Sequence, residues 1–70
     1  MKAPYTDRLK RNLQTLAQKR SWTMEQVAQE AGVSRAHFFA IIMGTRSPSL
    51  AILKKISDAL KVDVVDLLKP

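Results

Sequence analysis

Seventy residues without a cysteine make one small domain that has no disulfide and no thiolate metal site to stabilise it, so stability must come from an apolar core. Hydrophobic residues, at 46% of the chain, can supply that core, but the longest uninterrupted apolar run, Phe38–Met43, is far short of the ~20 residues that span a membrane. Twelve Lys and Arg against six Asp and Glu leave a net charge of +6, with Lys2, Arg8, Lys10, Arg11, Lys19 and Arg20 in the first twenty positions. Such a surface attracts polyanions, nucleic acid above all; the bland alternative is a solvated cationic face that only aids solubility.

The opening MKAPYTDRLKRN has charges with no apolar segment behind them, so no signal peptide is read and the cytoplasm is the expected compartment. Residues 1–5 read as a flexible N-terminal tail, because Pro4 blocks an early helix start, and residues 6–70 as the domain. Thr6 is expected to cap a first helix running to about Arg20. Its apolar stripe is Leu9, Leu13, Leu16 and Ala17, and Arg8, Arg11, Gln14, Thr15 and Gln18 lie opposite.

The stretch Thr23–Met43 organises the rest of the chain. Thr23 with Gln26 three residues on forms a capping box for a second helix over about 24–31, and Trp22 and Val27 stand at the positions of a hydrophobic staple. Gly32 suits a left-handed helix end, and Ser34 caps a third helix, about 35–43, almost at once. Val27, Ala28 and Ala31 share one helical face, and Phe38, Ile41 and Ile42 another. A connection of three residues, Gly32–Ser34, is too short for side-by-side antiparallel packing and suits the steep crossing of a helix-turn-helix.

Gly44 closes the third helix, and GTRSP makes a turn. Ser47, followed by Pro48 at the first helical position, is expected to start a fourth helix over 48–61 that buries Leu50, Leu53, Ile56, Ala59 and Leu60. Asp63 caps a last helix, 64–68, whose Val64, Leu67 and Leu68 fold back on the core. No segment alternates with period two, so no strand is expected. The fold class is all-α, a compact five-helix domain containing a helix-turn-helix.

The segment GVSRAHFFAIIMGTRSPSLAILKKISDALKVDVVDLL resembles the second half of Cro- and phage-repressor-type helix-turn-helix domains, the XRE family, with the lambda-repressor-like fold. The resemblance rests on the Gly-Val-Ser turn, the Gly closing the third helix, the Arg-x-Pro loop and a helix ending Ala-Leu-x-Val, and it extends over about residues 9–68. It implies a regulator, of phage, mobile-element or restriction-controller repressor type, that binds double-stranded operator DNA as a homodimer.

By the same resemblance the third helix lies in the major groove, with Arg35, Ala36, Phe39 and Ala40 reading bases. Arg35 is the natural reader, since a guanidinium can bond guanine O6 and N7 together. Thr23, Met24, Ser34, Arg46 and His37 are the candidate phosphate contacts, for Thr23 and Met24 through the backbone amides opening the second helix. Val62, Val64, Val65 and Leu68 are candidate dimer contacts. Competing readings stand beside these. Arg35 could be a solvated first-turn residue, Thr23 and Ser34 caps alone, His37 a surface residue, and the four C-terminal residues intramolecular core. Trp22 reads as staple and core in preference to a base-stacking platform.

The chain departs from its relatives in three places. Met24 stands where they often carry Gln. Ala17 and Ile42 replace a frequent Arg–Glu pair, an exchange of buried ions for apolar packing that leaves the fold intact. Ala36, Phe39, Ala40 and Met43 offer no side-chain hydrogen bonds to bases, so this face either packs on thymine methyl groups or meets a protein through Phe39 and Met43. The second possibility would make the chain a protein-binding module, such as an antitoxin, anti-regulator or adaptor. One histidine, no cysteine and no glycine-rich phosphate loop speak against an enzyme. No cofactor, metal or small-molecule ligand is expected, and regulation would come from abundance, a partner or proteolysis.

Overall fold

A computed structural model describes residues 6–70, so the expected tail, with Pro4, lies outside the described residues. Five helices follow in order: α1 Thr6–Lys19, α2 Met24–Ala31, α3 Arg35–Ile42, α4 Leu50–Leu60 and α5 Val64–Leu68. No strand occurs among the described residues, and none of their helices is long and apolar enough to cross a membrane. α2 packs on α4 and α1 on α5, with α1 also against α2 and α3.

The apolar stripes meet in one core of Leu9, Leu13, Val27, Phe38, Ile41, Ile56, Leu60 and Leu67, each at most 2% exposed. Burying each of these side chains contributes about 1.5–3 kcal/mol, which is how a chain without cross-links holds together. Ala17 and Ile42 are buried as well, at 2% and 4%, so both apolar positions pack in the core.

α1 to α4 all end in the same way. Ser21, Gly32, Gly44 and Lys61 adopt the left-handed conformation, with φ of 58, 71, 85 and 57°. The N–H one residue further on reaches back into the last turn: Trp22 to Ala17 O, Val33 to Ala28 O, Thr45 to Ala40 O and Val62 to Ser57 O, at 2.9–3.0 Å. These are Schellman closures. Glycine takes the conformation freely, whereas Ser21 and Lys61 bear a Cβ clash of about 1–2 kcal/mol. Apolar residues directly after them, Trp22 and Val62, pack against the core and hold those two turns in place.

Several expectations are corrected. Thr6 lies inside α1 at 4% exposure, continuing the stripe of Leu9, Leu13 and Ala17, and is a packing residue where a cap was expected. α1 stops one residue earlier than expected, at Lys19, α3 one earlier, at Ile42, and α4 one earlier, at Leu60. α4 starts two residues late, because Ser49 in place of Ser47 is the cap. The Ser49 hydroxyl accepts the Ile52 N–H at 3.1 Å, and Pro48 precedes the cap instead of opening the helix. Leu50, expected in the core, is then the first helical residue and is 73% exposed. Ser57 is buried instead, its hydroxyl satisfied by the Lys54 carbonyl at 2.9 Å.

Asn12 of α1 and Arg20, just past its end, tie this part of the chain to the ends of α4 and α5. The Arg20 guanidinium donates to Leu60 O at 3.1 Å and lies 5.2 Å from the Trp22 ring centroid. The Asn12 carboxamide donates to Leu67 O at 3.0 Å and Lys69 O at 2.7 Å, closing α5.

Candidate nucleic-acid interface

The capping box of α2 forms as expected: Gln26 N–H donates to the Thr23 hydroxyl at 3.1 Å, and Thr23 N–H to the Gln26 side-chain oxygen at 2.7 Å. Ser34 accepts the His37 N–H at 3.2 Å and starts α3. These caps engage two of the four opening N–H groups in α2, those of Thr23 and Gln26, and one in α3, that of His37; the others have no intrahelical partner. The helix crossing at the Gly32–Ser34 turn brings side chains from the two first turns together. Arg35, first in α3, pairs at 3.2 Å with Glu25, second in α2, across the turn.

Arg35 also lies over Phe39, its guanidinium carbon 5.8 Å from the ring centroid. Phe39 in turn meets the fully buried Phe38 edge to face, at 5.8 Å and 82°. An open concavity is lined by Arg35, Ala36 and Phe39. Along the same face Ala36 and Met43 are exposed, the latter at 56%, and Phe39 and Ala40 are half-buried. The outward stripe of α3 is therefore as the periodicity indicates, with its aromatic member seated on the core.

Thr23, Ser34 and Arg46 are exposed and His37 half-buried. Met24 packs partly against the core, so its backbone N–H is the polar group it can offer. Arg46 N–H and the Thr45 hydroxyl both reach Ala40 O, at 3.2 and 3.0 Å, fixing the turn after α3. The C-terminal group divides: Val62, Val64 and Leu68 pack partly against the core, and Val65 stands 72% exposed. Trp22 is core-packed beneath Arg20, as its sequence position suggested. Among the described residues no group of three His, Cys, Asp or Glu is placed to hold a metal ion.

Glu25 is the residue that sequence reading missed. The available signal was positional, since it stands in the first turn of α2, and a helix-turn-helix brings that turn against the first turn of α3.

Two short helices crossing at a three-residue turn, the second with one face in the core and one in solvent, define a helix-turn-helix domain. The helix-turn-helix family model HTH_3 matches residues 9–67, and the chain belongs to this family. The chain is 40% identical over 45 residues to a protein of Bacillus subtilis (strain 168) named "Uncharacterized HTH-type transcriptional regulator YqaF"; the match covers 64% of this chain and 59% of that relative's length. A crystal structure of a hypothetical transcription factor, NHTF from Neisseria, superposes with a TM-score of 0.84 at 24% identity, over 94% of this chain and 76% of the other. That likeness concerns the fold.

Proposed function

We propose that this protein is a transcriptional regulator that binds operator DNA, of repressor type, acting in the cytoplasm as a homodimer with α3 in the major groove. The observation that carries the proposal is the exposed ion pair of Arg35 with Glu25, which joins the first turns of α2 and α3 on one face. Opening N–H groups around Thr23, Met24 and Ser34, with Arg46 beyond α3, would take phosphates and fix the register. Arg35 would read guanine from that register, and Ala36, Phe39 and Ala40 would lie against neighbouring base edges. His37 would flank the phosphates. Val65, with the half-buried Val62, Val64 and Leu68, is the proposed contact between protomers. The exposed Met43 beside Phe39 supports a second reading, in which this face docks on a protein.

Selection from a random ~30-bp duplex library at low and physiological salt separates the two. A palindrome with half-sites about one helical turn, ~34 Å, apart is the expected outcome. Binding without enrichment that vanishes as salt rises would reduce the DNA affinity to general charge attraction and favour the protein-docking alternative.

A further inference from the structure

We infer that Arg35 and Phe39 form one composite reader of a two-base-pair step, a guanine next to a pyrimidine carrying a 5-methyl group, and that Glu25 is its positioning residue; this rests on the operator-binding function proposed above. The Arg35 guanidinium is held from two sides, by Glu25 at 3.2 Å and by the Phe39 ring at 5.8 Å. Arg35 and Phe39 are four apart on α3 and so share its outer side. Phe39 cannot drift, because its ring rests edge to face on Phe38, which is fully buried.

The Glu25–Arg35 pair is exposed on both sides, at 59% and 73% of the side-chain surface, so it contributes little to stability. Its effect is to orient. The pair engages one guanidinium nitrogen of a group with five N–H donors, which leaves enough of them to bond guanine O6 and N7 while Glu25 stays in place. Beside the guanidinium, Ala36 and Phe39 give the concavity apolar walls that suit a methyl group. In the major groove such a methyl is carried by thymine at C5, and 5-methylcytosine places the same group at the same atom. The 5.8 Å between guanidinium carbon and ring centroid is less than two base-pair rises of ~3.4 Å, a spacing that suits contacts on adjacent pairs.

Glu25 also sets a negative charge on the face that meets DNA. It repels phosphate and keeps Arg35 from serving as a general phosphate contact, so affinity for random sequence is lowered and discrimination is raised.

The test uses the duplex enriched by selection, with analogues at the pyrimidine beside the guanine in one half-site and binding read by fluorescence anisotropy. Thymine is compared with uracil, and 5-methylcytosine with cytosine; each pair differs by the methyl alone, and neither comparison needs a protein variant. The intact protein should prefer the methylated member of each pair about fourfold, as expected for removing one methyl group from water. Phe39→Ala should abolish both preferences and keep the preference for guanine. Glu25→Gln should keep the methyl preferences, bind random duplex more tightly and lose discrimination of guanine from adenine. Equal binding of the methylated and unmethylated duplexes, or an enriched half-site lacking such a step, overturns the composite reader and leaves operator binding standing. A library in which no duplex is enriched overturns operator binding itself, and the reader with it.

Discussion

α5 has five residues, far too few to hold a helix by propensity, and its last carbonyls have no partners within it. Two of the carbonyls at that end, those of Leu67 and Lys69, are taken by the Asn12 carboxamide at 3.0 and 2.7 Å from a position more than fifty residues earlier. Asn12→Ala removes both hydrogen bonds. Each is worth about 0.5–1.5 kcal/mol net, and the one to Lys69 is exposed, so its carbonyl can turn to water. A loss of about 1–2 kcal/mol follows, or roughly 4–16 °C in Tm for a domain of this size. Asn12→Asp keeps the shape but points an acceptor-only carboxylate at two carbonyl oxygens, so it should cost more than Asn12→Ala. Thermal unfolding by circular dichroism gives the order, and hydrogen exchange at the Lys69 amide, which bonds Val65 O at 3.0 Å, locates the loosening at α5. An Asn12→Asp protein that melts with wild type, or above Asn12→Ala, would falsify the assignment of Asn12 as the closure of α5.

Thr23→Ala deletes the acceptor of the α2 capping box and should lower stability by about 1 kcal/mol, with Thr23→Ser close to wild type in the same melt. Ser21→Gly and Lys61→Gly relieve Cβ clashes of about 1–2 kcal/mol and each add about 0.4–1 kcal/mol of unfolded-chain entropy, so denaturant titration should show a net gain of ~0.5–1 kcal/mol for each. A loss at either position would mean that the side chain makes a compensating contact. Arg46→Ala should weaken binding to all duplexes alike and flatten the salt dependence of log K by about 0.9, as for one lost phosphate contact; a changed consensus would show instead that Arg46 reads sequence.

Sequence alone determined the parts of this protein whose physics is local. Capping boxes, glycine helix ends and apolar stripes act over three or four residues, so their spacing is their mechanism, and Thr23 with Gln26, Ser34, Gly32, Gly44 and the Phe38–Ile41–Ile42 face are all where that spacing placed them. The outer stripe of α3 followed as the complement of its core stripe. Where two local solutions competed, spacing could not choose: Ser47-Pro48 and Ser49 both suit a helix start, and the start at Ser49 leaves Leu50 in solvent and Ser57 in the core.

Tertiary structure alone decided the contacts between elements. Ser21 and Lys61 end helices in a conformation that favours glycine because Trp22 and Val62 find the core, which no local pattern encodes. Asn12 acts on α5 only once α1 and α5 are packed. Glu25 and Arg35 are ordinary surface charges along the chain, and they become a pair because the crossing of α2 and α3 brings their side chains within 3.2 Å. Such interactions depend on where separate helices end in space, and that is set by the packing of the whole core.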